Sequence, residues 1–247
     1  MFNRLIPLAL SLLLAVPVAA MDLTQMTDEE RAIFREEVRN YLLENPEVIM
    51  EAVEVFEERQ AADRARADVE LVTQNSEAIF EDGFSWVGGN PEGDITLVEF
   101  LDYRCGYCKR AHPEVAKLIE TDGNIRLVVK EFPILGEQSL LASRFAVATK
   151  QVAGDEAYKQ MSDALMELSG DVTMLSLRRL ASTFGLDVDA IEARMDSEEV
   201  TNVLRETRAL AQRLQISGTP TFVLGDELLR GFVPYDGMAE MVAEQRG

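Results

Sequence analysis

LVEFLDYRCGYC, residues 97–108, is the stretch of sequence that decides the fold. It contains most of a near-continuous apolar run over 95–101, which is typical of a central strand covered on both faces. The only two cysteines of the chain, Cys105 and Cys108, follow where we expect the strand to end and a helix to begin. Two thiols at this spacing can bond reversibly to each other or react with a partner protein. The stretch therefore predicts a redox site on a sheet.

Strand and helix patterns alternate over residues 76–247. Helical patterns fill an insert at about 137–214, with breaks predicted at Gly154, Gly170 and Gly185. The other predicted elements are strands over 78–87, 95–101, 125–129, 220–224 and 228–232, a helix from the cysteines to about 120, and a closing helix over 235–244. Strands that flank a long helical insert indicate an α/β domain with a helical subdomain.

Residues 1–20 have the pattern of a secretory signal peptide. Arg4 gives a short positive region, an apolar stretch follows over 5–16, and the small residues over 18–20 fit a cleavage site. The stretch is shorter than the roughly 20 apolar residues that a membrane span needs, although an uncleaved N-terminal anchor is the alternative. We therefore predict a secreted, periplasmic protein. Its formal net charge of -20 argues against nucleic-acid binding, which depends on Lys and Arg at phosphates.

Residues 21–75 are predicted to form a helical extension and linker that leads to oligomers. Thr27 and Glu30 fit a capping box at a helix start. Two apolar helical stripes follow, one before and one after Asn45-Pro46, formed by Phe34, Val38, Tyr41 and Leu42 and by Ile49, Val53 and Phe56. Because a polar segment separates the stripes from the main domain, we predict that they pair with other copies in a homo-oligomer, a dimer or a trimer. The alternative is that they pack back on the main domain.

Three segments resemble those of DsbA-like thioredoxin-fold oxidoreductases, in the same order. VEFLDYRCGYCKR (98–110) is similar to the active-site segment, and FPILG (132–136) and GTPTF (218–222) are similar to two further family segments. The resemblance covers roughly 76–247 and implies a thioredoxin-like fold with a helical insertion and a thiol–disulfide oxidoreductase activity. The N-terminal extension resembles that of the suppressor-of-copper-sensitivity protein C group, whose relatives include oligomeric disulfide isomerases.

The two cysteines would have different roles in such an enzyme. Unpaired amide protons and the helix dipole favour a thiolate at a helix N-terminus, and Cys105 would lie there with three basic residues nearby. Since a thiolate attacks disulfides, we predict that Cys105 is the nucleophile and that Cys108, one turn further in, resolves the mixed disulfide. The redox-active pair would need no other cofactor, and Gly106 and Tyr107 would tune its potential.

Three further residues are candidates for the same site. Glu99 is a charge within an apolar strand, at the position where the family often has an acidic residue under the second cysteine, and it would exchange a proton with Cys108. The alternative is that Glu99 reaches solvent at the end of the strand. In the fold that the chain resembles, the proline matching Pro220 is cis and lies against the disulfide. Thr219 before it would pair with an extended substrate strand.

His112, the only histidine, follows Cys108 by about one helical turn. Together with Cys105 and Cys108 it has the chemistry to bind zinc or copper(I). A structural zinc site normally has four protein ligands, however, and the sequence offers no second set. We therefore predict no permanent metal site. A periplasmic copper-binding or chaperone protein is the alternative function of a different class.

The predicted partners are cysteine-containing secreted client proteins and a membrane redox partner that recharges the cysteine pair. A DsbA-type oxidase donates its disulfide to its clients. An isomerase or reductase is instead kept reduced, and it gains from an oligomer that holds several thiolates around one client. Because of the helical extension, we predict a disulfide isomerase or reductase, with the oxidase as its alternative.

Overall fold

The computed structural model describes residues 25–247, so the predicted signal peptide lies outside the described residues. The chain divides into two compact units, of which the first ends at Arg59 and the second comprises Gln60–Gly247. The sequence predicts this boundary near residue 75 instead. The segment just after Arg59 belongs to the second unit because Val72 is buried in its core and Asp68 accepts two hydrogen bonds from Arg230.

Helices make up the described part of the first unit. They are α1 (Asp28–Glu44) and the beginning of α2 (Glu47–Gln74), separated at Asn45-Pro46 as the sequence predicts. The predicted capping box is confirmed, since Oγ1 of Thr27 accepts the N–H of Glu30 and the Glu30 carboxylate accepts the N–H of Thr27. α1 buries none of its residues. No helix within residues 25–247 combines the length and the apolar character that a membrane span requires.

The second unit continues with further helices and a sheet. In chain order, the helices are α3 (Ser76–Phe80), α4 (Gly106–Asp122), α5 (Glu137–Glu167), α6 (Met174–Thr183), α7 (Val188–Met195), α8 (Glu198–Arg213) and α9 (Tyr235–Arg246). The strands are β1 (Trp86–Gly89), β2 (Ile95–Leu101), β3 (Ile125–Glu131), β4 (Thr221–Leu224) and β5 (Glu227–Arg230). Helices α5 to α8 form the predicted insertion between β3 and β4.

The five strands form one mixed sheet in the order β1-β3-β2-β4-β5. β2 and β3 are parallel and are connected through α4, whereas the other three neighbouring pairs are antiparallel. This arrangement confirms the predicted α/β class with a thioredoxin-like fold and a helical insertion. It places β2 in the centre, so that the loop from β2 to α4, which carries the cysteines, opens at the end of the central strand.

The central strand is covered on both faces, as its apolar run predicts. Its odd-numbered residues face the core that α4, α5 and α9 help to form, with Leu97 and Leu101 among its members. Its even-numbered residues Val98 and Phe100 face a second core that includes residues of α3 and α8. Each fully buried large apolar side chain contributes roughly 2 kcal/mol of transfer free energy, which makes β2 a rigid support for the loop at its end.

Two predictions about elements before and inside the insertion are wrong. The predicted strand over 78–87 is a short helix, α3, followed by a turn and the shorter strand β1, because the Asp82 carboxylate accepts the N–H groups of Phe84 and Ser85. The insertion also breaks before α8, where the hydroxyl of Ser197 caps the helix, a break that the glycines do not mark. The breaks at Gly154, Gly170 and Gly185 are confirmed.

Candidate active site

Cys105 is the N-cap residue of α4. Its N–H donates to the carbonyl of Asp102, and its own carbonyl accepts the N–H of Lys109, while its side chain makes no capping hydrogen bond. Cys108 lies in the first turn of the helix and is completely buried, whereas Cys105 keeps 7% of its surface exposed. Both thiols are free. The local structure therefore places one thiol at the helix start and the other behind it in the core.

The loop before β4 reaches Cys105 from the far end of the sequence. The Sγ atom of Cys105 donates a hydrogen bond of 3.1 Å to the carbonyl oxygen of Thr219. The peptide bond between Thr219 and Pro220 is cis, and the Pro220 carbonyl accepts the N–H of Gly231. A small cavity of about 140 Å³ opens beside this loop, lined by Ser217, Gly218, Thr219, Pro220, Thr221, Arg230 and Gly231. The structure thus brings Cys105 and the predicted loop residues into one site.

The other two residues of the motif lie at the surface of the site. Gly106 and Tyr107 are both exposed, with 58% of the surface of Tyr107 accessible. The guanidinium of Arg110 lies 5.6 Å from the centre of the Tyr107 ring and 4.7 Å from that of Phe232. Such cation–π contacts hold an arginine in place at an exposed site. The rim beside Cys105 is therefore aromatic and basic within a strongly acidic chain.

Glu99 is buried behind the cysteines and does not reach solvent. Only 3% of its surface is exposed, and its Oε1 atom has no hydrogen-bond partner within the described part of the chain. Burial raises the pKa of Glu99 to about 7, an effect that His112 opposes and the charge of Glu131 increases. Burial also raises the pKa of Cys108, and the negative charge of Glu99 adds to this rise. The two groups are thus electrostatically coupled.

His112 contacts an aspartate, Asp163, and does not join the two cysteines in a metal site. Its Nε2 atom lies 3.0 Å from Oδ1 of Asp163 on α5. Both side chains line a cavity of about 220 Å³ between α4, α5 and the sheet, and Glu99 lines it as well. The structure does not bring Cys105, Cys108 and His112 together as ligands, and no group of three metal-binding side chains converges within residues 25–247.

Asp102 is a site residue that the sequence analysis missed. Its side chain is completely buried, and its carboxylate accepts the N–H groups of Arg104 (2.8 Å), Ile134 (2.8 Å) and Leu135 (3.0 Å). It therefore ties the loop that carries the cysteines to the loop between β3 and α5. The available signal was an acidic residue that directly ends an apolar strand next to the motif.

Two basic residues next to the cysteines bind backbone carbonyls of the insertion. The Nζ atom of Lys109 donates to the carbonyls of Leu165 and Leu168 at the end of α5. Arg104 donates to the carbonyl of Gly170 in the following loop (2.8 Å). Burial lowers the pKa of Lys109, and the charge of Arg104 adds to this effect. These residues, predicted as a source of positive charge, also join α4 to the insertion.

A second buried acid, Glu131 at the end of β3, was also missed. Its Oε1 atom accepts hydrogen bonds from the hydroxyl groups of Tyr103 (2.6 Å) and Tyr158 (2.7 Å). Burial raises the pKa of Glu131 to about 7, and the two tyrosine hydrogen bonds oppose this rise. Sequence reasoning did not find it because its partner Tyr158 lies 27 positions further along the chain.

Comparisons with known proteins agree with this geometry. Residues 96–243 match the DSBA-like thioredoxin domain, and residues 30–63 match the copper resistance protein ScsC N-terminal domain. A thioredoxin-like oxidoreductase from Silicibacter pomeroyi DSS-3 is 42% identical with a TM-score of 0.65, covering 69% of this chain and 96% of that one. BcfH from Salmonella enterica Typhimurium is 28% identical with a TM-score of 0.74, covering 89% of this chain and 97% of that one.

One curated relative has a different name, and this chain matches only a part of that protein. The Na(+)/H(+) antiporter NhaA 1 of Salinispora arenicola is 27% identical over 157 residues, which are 63% of this chain and 24% of that protein. The chain spans about a quarter of that relative, and antiport is a property named for the relative alone. The family match covers more than half of the chain and includes both cysteines. The chain therefore belongs to the DSBA-like thioredoxin domain family, a family of thiol–disulfide oxidoreductases.

Proposed function

We propose that this protein exchanges disulfides with protein substrates through attack by Cys105 and resolution by Cys108. The observation that carries the proposal is the position of Cys105 at the start of α4, with its sulfur against the Thr219 carbonyl and Cys108 buried behind it. Amide N–H groups at a helix N-terminus stabilise an anion, and the buried thiol of Cys108 stays protonated more readily. The more exposed sulfur is thus the attacking one.

The exchange needs no bound cofactor, because the cysteine pair carries both electrons. The Cys105 thiolate attacks a client disulfide, forms a bond to one client sulfur and releases the other as a thiolate. Cys108 then gives up its proton and attacks Cys105. The Cys105–Cys108 bond forms, the bond to the client breaks, and the client leaves with two reduced sulfurs. In the isomerase reaction, the released client thiolate instead attacks another disulfide of the client and frees a different client thiolate. A client thiolate other than the first one released then attacks the mixed disulfide, forms a new client disulfide and releases Cys105 as a thiolate.

The loop around Thr219 is the proposed binding site for the client backbone. An extended peptide binds through main-chain hydrogen bonds, with a pocket for alternate side chains. The cavity lined by Thr219 and Pro220 and the exposed ring of Tyr107 are available for contacts with client side chains. The clients are therefore proteins with accessible cysteines, bound with little dependence on sequence.

We propose further that the protein acts as a homo-oligomeric isomerase or reductase. This is supported by ten large apolar side chains that are exposed in the described part of the first unit. They are Ile33, Phe34, Val38, Tyr41, Leu43, Ile49, Met50, Val53, Val55 and Phe56. Exposed apolar surface of this density marks an interaction site. A second copy of the same helices offers a matching apolar surface, and the match of residues 30–63 to the ScsC N-terminal domain is consistent with this.

The proposed location is the periplasm. It is supported by the signal-peptide pattern of residues 1–20. A protein that reduces or isomerises disulfides there must itself be kept reduced, so a membrane redox partner belongs to the proposal.

Reactivation of scrambled ribonuclease in a glutathione buffer tests the isomerase against the oxidase. We expect the full chain to reactivate it, and the Phe34→Glu/Val53→Glu variant to lose most of this activity while it still reduces insulin. The control Asn40→Glu adds one negative charge at an exposed polar position of α1 and should behave like the parent protein. Oxidation of reduced ribonuclease without reactivation of the scrambled form would instead support the oxidase.

A further inference from the structure

Glu131 is buried on the same face of the sheet as Glu99. In the parallel pair of β2 and β3, Glu131 lies opposite Leu101 and Val129 lies opposite Glu99. Residues two apart on a strand point to the same side, so the two acids project into the same core, with their backbones roughly 8 Å apart. Only 4% of the surface of Glu131 is exposed, and its charge helps to raise the pKa of Glu99.

Hydrogen bonding distinguishes the two carboxyl groups. Two phenol hydroxyls, from Tyr103 and Tyr158, donate to Oε1 of Glu131, and both tyrosines are themselves buried. One buried oxygen of each acid, Oε1 of Glu99 and Oε2 of Glu131, lacks a hydrogen-bond partner within residues 25–247, but no hydroxyl donor comparable to the two tyrosines contacts Glu99. Hydrogen bonds donated to a carboxylate favour its charged form. Glu131 is therefore the better site for a negative charge, and Glu99 the better site for a proton.

Two carboxyl groups that share one apolar core do not both ionise readily. Their protons are lost in two steps that belong to the pair, since the first charge opposes the second. We propose that Glu131 is a positioning residue that carries the negative charge of this pair and thereby holds the proton on Glu99 at neutral pH. The proposal rests on the proposed function, in which Glu99 exchanges a proton with Cys108.

The proton on Glu99 is used when the active-site disulfide is reduced. A client thiolate attacks Cys105, a bond forms between these two sulfurs, and the Cys105–Cys108 bond breaks with its electron pair on Cys108. The proton moves from Glu99 to the Cys108 sulfur, whose buried thiolate has the higher proton affinity. In the opposite direction Glu99 takes the proton back. The charge on Glu131 makes Glu99 a stronger base for that step.

Other titratable groups lie around Glu99 and Glu131, and some of them also affect the pKa values of these two acids. They are Cys108, His112 and Glu120 from α4, Lys150, Tyr158, Lys159 and Asp163 from α5, and Asp102 and Tyr103 from the loop before α4. His112 opposes the rise in the pKa of Glu99, and Asp102 adds to the rise in that of Glu131. Lys159 and Lys150 pair with Asp163 and Asp155. A Glu131→Gln substitution leaves all of these groups in place.

The test is a carbon-13 NMR titration of the glutamate side-chain carboxyl groups in the reduced full-length protein, with Glu99 assigned from a Glu99→Gln variant. We expect Glu131→Gln to move the titration midpoint of Glu99 down by about one pH unit, a shift that corresponds to a tenfold change in proton affinity. The control Glu120→Gln, at an exposed position on the wall of the same cavity, should leave the midpoint in place. An unchanged midpoint in Glu131→Gln would overturn the proposal.

A second measurement needs no substitution at Glu131 and covers the case in which that variant does not fold. In the parent protein, we expect the Glu131 carboxyl to ionise at lower pH than that of Glu99, and the reverse order contradicts the proposal. Insulin reduction is measured in parallel. If Glu131→Gln leaves the Glu99 midpoint unchanged while the parent protein reduces insulin normally, only the proposed role of Glu131 is contradicted. Absence of turnover in the parent protein defeats the proposed function while the titration still tests the pair.

Discussion

Cys108 lies three residues after Cys105, which places its sulfur one turn further along α4 and inside the core. Burial there raises the pKa of Cys108, so this thiol gives up its proton only with the help of a nearby base. Cys105 instead caps the helix and contacts the Thr219 carbonyl. Two side chains of the same chemistry thus have different surroundings, and under the proposed function only Cys108 needs Glu99 as a base.

The buried carboxyl group of Glu99 predicts a dependence of stability on pH. Its pKa of about 7 in the folded protein exceeds its ordinary value of 4.5, so the folded state binds more protons than the unfolded state between these values. The stability that this proton provides is complete below about pH 4.5 and is lost as the pH rises through 7. Since one pKa unit corresponds to about 1.4 kcal/mol, the loss reaches roughly 3 kcal/mol.

Urea unfolding of Glu99→Gln at pH 5 and pH 8.5 measures this effect. Relative to the parent protein, we expect the variant to gain up to about 3 kcal/mol of unfolding free energy between the two pH values, because it has no proton to lose. Glu120→Gln is the matched control and should follow the parent curve. Parallel curves for parent and Glu99→Gln would show that Glu99 is already ionised at pH 5.

The sequence predicted those site residues whose signal is local. Cys105, Cys108 and Pro220 stand in short motifs, and Glu99 stands out as a charge in an apolar strand. Asp102 and Glu131 are equally buried, but their roles depend on groups from distant parts of the chain, Ile134 for one and Tyr158 for the other. No pattern within a single element encodes such a partner, so these roles required the structure.

At the scale of elements, Asp102 predicts how firmly the cysteine loop is held. Its carboxylate accepts three backbone N–H groups from two loops, and asparagine offers only one acceptor oxygen and adds a donor. We expect Asp102→Asn to lower the free energy of unfolding by about 2–3 kcal/mol, measured by urea titration at pH 7. Asp196→Asn, whose side chain is 95% exposed, should change it by less than about 0.5 kcal/mol. Equal effects of the two substitutions would mean that the three hydrogen bonds to Asp102 contribute little to the free energy of unfolding.

Element types were predictable where one periodic pattern dominates. The apolar run of β2 and the capping box of α1 are such cases. The short helix α3 was mistaken for a strand because its apolar residues are few and Ile79 is buried by tertiary packing rather than by a helical stripe. The break before α8 was missed because Ser197 is the cap there, and a single serine in a helical pattern is a weaker signal of a break than a glycine.

At the scale of the whole molecule, the fold followed from three motifs in a fixed order, whereas the proposed assembly would depend on helices whose large apolar side chains are exposed. A monomer would expose the apolar side chains of α1 and of α2 before Arg59 to water. Sedimentation of the full chain should therefore give a dimer or trimer, and the Phe34→Glu/Val53→Glu variant should sediment as a monomer with an unchanged fold. A monomeric parent protein would contradict the proposed oligomer without affecting the chemistry of the cysteines.

The trapping of a mixed disulfide tests the central claim most directly. Reduced Cys108→Ser and Cys105→Ser variants are incubated with a disulfide-containing client, and the linked species are identified by mass spectrometry. The account predicts that Cys108→Ser accumulates a disulfide between Cys105 and the client, because the resolving thiol is missing. Cys105→Ser should give little or none. Trapping through Cys108 in the Cys105→Ser variant at a comparable rate would contradict the assignment of the two cysteines.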